Sequence, residues 1–251
     1  MNATKLKQTC HFALQSFNQL LWPAICINCR TSIRETDGNL CSDCWNQLLT
    51  CTAADYCPRC GKDASRYALS NNSCPDCLGK EIYFDRIARG GVYSQALQKM
   101  ILAFKSGRTE LDTTLGFLAN SALQGCSFYD EIELFVPVPL HFSRRLFRGY
   151  NQSQVLTRRL KHPAVKINTD LVRIRRTKPQ PVMVSAAARA KNVAGAFAVR
   201  LGHRFADRNI CLVDDIKTTG ATLNECAKTL RKAGVSKVFA LVLAVAGQNT
   251  R

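Results

Sequence analysis

Acidic residues are scarce in this chain: 18 Asp and Glu stand against 35 Lys and Arg, a formal charge of +17. So wide an imbalance excludes a charge-balanced surface and points to an anionic partner. Long apolar runs are missing as well. No stretch reaches the roughly 18 consecutive apolar residues of a membrane span, which excludes a transmembrane helix of that kind. The first 25 residues carry Gln, Ser and Asn where a secretory signal needs an unbroken apolar segment. The expectation is a cytoplasmic protein that keeps its N-terminus. No Gly-Lys-Ser/Thr follows the glycine spacing of a P-loop, which excludes a Walker A site. Without long repeats or low-complexity tracts, the 251 residues read as globular, and 46% hydrophobic content can fill a core.

Cysteine, by contrast, is abundant. Eight of the 13 cysteines form four Cys-x-x-Cys pairs: Cys26/Cys29, Cys41/Cys44, Cys57/Cys60 and Cys74/Cys77. Two residues between thiolates let a tight turn present both sulfurs to one tetrahedral ion, and two such turns close a four-cysteine zinc site. Only 11 residues separate Cys29 from Cys41 and 13 separate Cys60 from Cys74, which suits two sequential ribbons. Interleaved pairing, a redox pair or an iron-sulfur cluster are the alternatives. Two structural Zn2+ ions are expected. Cys10, Cys51, Cys126, Cys211 and Cys226 are left as thiols, several in apolar settings.

Charge divides the chain. Residues 1–84 hold 8 basic and 7 acidic side chains, whereas residues 85–251 hold 27 and 11. The expected organisation is a zinc-ribbon domain over 1–84 and an α/β domain over 85–251. Within the latter, residues 141–208 carry 16 Lys and Arg against only Asp170 and Asp207. Apolar spacing predicts helices over 96–104, 115–123, 151–160 and 222–233. Short apolar runs predict strands over 134–140, 209–215 and 237–245. Strands alternating with helices imply a parallel sheet flanked by helices.

At the end of the strand over 209–215 stands CLVDDIKTTGATL, residues 211–223. In an open α/β sheet ligands bind at the carboxyl ends of strands. There the amides of Thr218, Thr219, Gly220, Ala221 and Thr222 can converge on a phosphate at the positive end of the next helix. Asp214 and Asp215, one sugar away, can accept bonds from ribose hydroxyls, so the expected ligand is a ribose 5-phosphate. The stretch resembles the 5-phosphoribosyl 1-pyrophosphate (PRPP) motif of type I phosphoribosyltransferases. Lys217 is unusual, since an apolar residue is commoner at that variable position.

The doubled four-cysteine unit, YSQALQKMILAFKSG (93–107), VPVPLHFSRRLFRGYNQS (136–153), RRTKPQPVMVSAAARAKNVAGAF (175–197) and the PRPP stretch together resemble the ComF family, including GntX-type members. The resemblance implies a double zinc ribbon fused to a type I phosphoribosyltransferase-like domain, with PRPP and its Mg2+ as ligands. It also implies a link to natural competence, the uptake of DNA, with proteins of the competence machinery as partners.

The remaining segments carry further candidates. His141, Arg144, Arg145 and Arg148 follow a strand end, where guanidinium groups can clamp pyrophosphate or grip a nucleic-acid backbone. Residues 173–197 have the character of a mobile flap whose Gln180, Arg189 and Asn192 can meet pyrophosphate. Mg2+ travels with PRPP and needs few protein ligands, with Asp214 and Asp215 the candidates. Aromatic residues among the arginines, Tyr150 included, suit single-stranded DNA. Two function classes follow: a PRPP-binding module that works on single-stranded DNA, or an active phosphoribosyltransferase of nucleotide or amine metabolism, in which Asp214 and Asp215 are the catalytic candidates. Glutamine-dependent amide transfer is set aside, because no glutaminase domain with a processed N-terminal cysteine is present.

Overall fold

The computed structural model describes residues 24–33, 39–143, 146, 149–178 and 185–247. The chain forms two compact units, Met1–Thr50 and Cys51–Arg251. In the first, the Cys26 knuckle closes when the Arg30 amide donates to the Cys26 carbonyl at 2.8 Å and the Cys26 amide to the Thr31 carbonyl at 2.8 Å. Helix α1 (Ser42–Thr52) opens directly after Cys41 and carries Cys44 on its first turn.

The second unit is built on a five-stranded parallel sheet. Its strands are β1 (Arg86–Val92), β2 (Leu134–Pro137), β3 (Lys166–Ile167), β6 (Asn209–Lys217) and β7 (Lys237–Val245), in the order β1-β7-β6-β2-β3. The interior strand β7, KVFALVLAV, is buried after its first residue. A strand covered on both faces has no use for polar alternation, and the sequence has none there. Helices α2 (Gln95–Lys105), α3 (Asp112–Gln124), α4 (Gln152–Arg159) and α6 (Ala221–Lys232) surround the sheet. On α6, Leu223, Cys226, Ala227 and Leu230 recur at helical spacing and pack with Leu212, Ala240 and Val242. Each such leucine contributes about 1.5–3 kcal/mol by leaving water. Elsewhere Phe128 stacks on Phe239 at 4.5 Å. Where α3 meets α4, a Cβ on Gly116 would lie 2.7 Å from the Arg159 Cβ, so only glycine allows that approach.

Strand β1 was not evident from its sequence, RIARGGV, because Arg and Gly dilute the apolar signal. Tertiary partners account for it. The Ile87 amide donates to the Pro58 carbonyl at 2.8 Å, and Arg59 donates to the carbonyls of Ile82, Phe84 and Asp85. Buried Arg89 donates to the Gly61 and Ala54 carbonyls, pairs with Asp63 at 2.6 Å and lies over the Tyr56 ring. The Cys57 knuckle is thus sewn to the edge strand of the sheet. Charge changes at 84/85, whereas compactness divides the chain at 50/51, with the second four-cysteine set on the sheet side.

The segment read as a flap has more structure than its small residues suggested. Strands β4 (Leu171–Arg173) and β5 (Phe197–Val199) pair antiparallel at its base. Between them lies helix α5 (Ala186–Val193), whose N-cap Ser185 accepts from the Ala188 amide. An alanine run behind a serine cap favours helix over loop. Among the described residues no helix is long and apolar enough to cross a membrane.

Candidate functional site

Strand β6 delivers the acidic pair to the carboxyl edge of the sheet, and successive residues of a strand face opposite ways. Asp214 turns toward the loop that follows. Its Oδ1 accepts from Ser153 Oγ on α4 at 3.0 Å and from the Asp215 amide at 2.9 Å. Burial, and next the negative charge of Asp215, push the Asp214 carboxyl up to about 7. Asp215 is buried against Lys105 of α2, with Nζ 2.8 Å from the carboxylate. Ser153 and Lys105 were not foreseen as site residues, although Lys105 falls in the stretch 93–107 quoted for the family resemblance.

Beyond Asp214 the chain forms a shallow cup lined by Asp214, Lys217 and residues 218–222. Gly220 adopts φ 84°, a conformation that a side chain resists, and caps α6. Its carbonyl accepts from the Asn224 amide at 2.8 Å, so the first turn of α6 is wound directly behind the cup. Helix N-termini carry partial positive charge, and no acidic residue occupies the first turn of α6 to cancel it. Thr218, Thr219, Gly220, Ala221 and Thr222 line the cup side by side.

The loop after β2 is tied to the same edge. His141 is half-buried, and its Nδ1 lies 2.9 Å from Ser143 Oγ. Asn151 caps α4 and donates to the Val138 carbonyl at 3.1 Å, which places Ser153 on the first turn beside Asp214. Tyr150 hydrogen-bonds through its hydroxyl to the Phe104 carbonyl and packs on the Phe104 ring, 5.8 Å between centroids. The Asn192 side chain is engaged with the backbone of Lys178, donating to its carbonyl and accepting from its amide. Arg189 lies in α5. Arg144, Arg145, Arg148 and Gln180 lie outside the described residues.

Both cysteine sets are assembled sequentially. The sulfurs of Cys26, Cys29, Cys41 and Cys44, and those of Cys57, Cys60, Cys74 and Cys77, each lie within 4.8 Å of one another. Tetrahedral zinc with Zn–S near 2.3 Å sets its sulfurs about 3.8 Å apart. The Cys29–Cys41 distance is 3.7 Å, Cys57–Cys77 is 3.8 Å and Cys60–Cys74 is 3.6 Å. Eight cysteines thus form two structural zinc centres, and interleaved ligation is excluded. Burial pushes the Cys60 thiol up to about 11, so metal binding there must displace a proton.

The Double zinc ribbon domain family matches residues 17–78. The chain is 33% identical over 220 residues to Competence protein F of Haemophilus influenzae, covering 85% of this chain and 93% of that one. The chain belongs to the ComF family. DNA utilization protein YhgH of Escherichia coli K12 is 30% identical to this ComF-family chain, covering 86% and 94% of the two chains. Competence protein ComFC of Bacillus subtilis is 24% identical, covering 84% and 79%. Among solved structures, a hypoxanthine phosphoribosyltransferase of Staphylococcus aureus aligns with a TM-score of 0.31 at 15% identity, over 56% of this chain and 72% of that one.

Proposed function

We propose that the cup binds the 5-phosphate of PRPP and that the protein is a PRPP-binding ComF protein acting on single-stranded DNA. The observation that carries the first half is the placement of Asp214 directly upstream of a cup at a helix N-terminus. Phosphate is held by the amides of residues 218–222 and the positive end of α6. Asp214, oriented by Ser153, accepts from a ribose hydroxyl, while Asp215 is held back by Lys105. Mg2+ travelling with PRPP would neutralise pyrophosphate charge, and Asp214 would be the carboxylate of this chain to hold it. His141, which follows β2 at the same sheet edge, is the candidate to meet the leaving pyrophosphate.

The second half is supported by the basic span over 141–208 and by relatives named for competence and DNA utilization. Sixteen cations against two carboxylates exceed what one pyrophosphate requires and suit an extended phosphate backbone.

Calorimetric titration with PRPP and Mg2+ tests the reading. Binding is expected in the wild type, and Asp214→Asn should weaken it by about 1.5–3 kcal/mol, the worth of a charge-assisted bond. Equal affinity in both proteins removes Asp214 from the ligand, and no binding to the wild type removes PRPP. Release of pyrophosphate with a base or amine acceptor would instead identify an active phosphoribosyltransferase.

A further inference from the structure

Lys217 ends β6 with only 5% of its surface exposed. A lysine so deeply buried requires a counter-charge, yet among the described residues it forms no ion pair with a carboxylate. Asp215 is taken by Lys105. Burial holds the Lys217 pKa down most, with Lys62 and Lys80 acting the same way and Cys60 and Cys77 of the second zinc set acting against it. Lys62 is itself paired with Asp76.

Backbone register leads to the same neighbourhood. Lys217 pairs with Val245 on β7, and paired residues of adjacent strands share a face. A Val245 methyl lies 3.0 Å from the position a Cβ would take on Gly61, the residue after Cys60. On its other side, Lys217 lies under the cup it lines: a Cβ on Gly220 would sit 3.0 Å from Lys217 Cε and 3.6 Å from Nζ. The Lys217 side chain therefore shares a sheet face with the residue that packs on the zinc knuckle, and its ammonium reaches the turn of the cup.

A zinc ion with four thiolates carries two negative charges in excess, and so does a phosphate monoester once fully ionised. We propose that Lys217 is a positioning residue that couples the two sites: its ammonium is the cation shared between the second zinc centre and the anion of the cup. The half that concerns the anion rests on the phosphate reading given above, and the half that concerns zinc does not. The second zinc centre then supports the ligand loop as well as the fold, and this gives a reason for lysine at a position where an apolar residue would pack more easily.

Hydrogen exchange on the zinc-loaded full chain tests the coupling without any ligand. In Lys217→Met, which keeps the length of the side chain and removes the charge, exchange should quicken about tenfold both over 57–77 and over 218–222, with 26–44 unchanged. One of the two zinc ions should pass to a chromophoric chelator faster by a similar factor, and Lys217→Arg should restore both readouts. Stripping the second zinc from wild-type protein, or Cys60→Ser, should quicken exchange over 218–222 by an independent route. Unchanged zinc release, or exchange altered over only one of the two segments, overturns the coupling. A wild type that fails to bind PRPP sinks the phosphate reading and leaves the zinc arm to stand or fall on these measurements.

Discussion

Lys105 on α2 and Asp215 on β6 meet at 2.8 Å, so one carboxylate of the acidic pair is neutralised from within the fold while Asp214 is left to the cup. The two acids, adjacent and identical in type, hold different posts. Sequence spacing alone does not distinguish them.

Their division predicts different behaviour on substitution. Lys105→Met leaves Asp215 charged in a site where it is about one-eighth exposed, and should cost roughly 2–3 kcal/mol of stability in urea unfolding. Adding Asp215→Asn should recover part of that loss, because the orphaned charge is then gone. A double variant as unstable as the sum of the singles would show that the pair does not interact.

Asp214 gives a pH signature of opposite origin. Its carboxyl is raised to about 7 in the folded protein against an ordinary value of 3.8. The folded chain thus keeps a proton that the unfolded chain releases near pH 4. The contribution of this group is fully present below that pH and is lost as pH rises through about 7. Asp214→Asn removes the loss: ligand-free variant and wild type should be similarly stable at pH 4, and the variant more stable at pH 8 by about 2 kcal/mol, discounted for partial solvent access. The bonds from Ser153 and the Asp215 amide survive, since both go to Oδ1, which asparagine retains. A constant difference between the two proteins across pH would remove the carboxyl from the account.

How much of this was legible in the sequence depended on where the determining contacts lie. β6, α6 and β7 were readable because their apolar spacing is local, and the cup because Gly220 and its threonines are contiguous with the acids. The zinc sets were readable from spacing, although the choice between sequential and interleaved ligation needed coordinates. β1 was hidden because Arg89 is buried among the Gly61, Ala54 and Asp63 groups far from it in sequence. Ser153 and Lys105 were hidden for the same reason, lying 61 and 110 positions from their carboxylates. α5 was missed because proline and small residues nearby outweighed a capped alanine run.

Zinc removal should affect the two units unequally. Each Cys→Ser substitution within a set should lower bound zinc from two ions per chain to one. Cys60→Ser should also lower the melting temperature of the α/β unit, because the Cys57 knuckle holds the β1 edge through the Pro58 and Gly61 carbonyls. A destabilisation of about 2 kcal/mol there corresponds to a shift of several degrees for a unit of this size. Cys29→Ser, in the other compact unit, should leave that transition in place. Equal shifts for both substitutions would contradict this division of labour.

The basic span provides the last test, and the structure already sorts its members. Arg159 is paired with Asp112 at 2.7 Å and Arg208 with Glu133 at 2.7 Å, Arg173 lies over the Phe197 ring, and Arg175 donates to the carbonyls of Asn192 and Ala194. These cations have internal employment, so their replacement should cost stability before it costs DNA affinity. Arg144, Arg145 and Arg148 follow one another closely in the sequence between β2 and α4. Replacing all three by alanine should flatten the salt dependence of single-stranded DNA binding by about 0.7 log units of slope for each phosphate that is no longer neutralised. Asp214→Asn should leave that slope unchanged, since one compact cup and an extended backbone track are different sites. If the aspartate variant shifts the slope as far as the arginine variant does, PRPP and DNA share one site. If neither shifts it, the span is solvated surface and the enzymatic alternative gains.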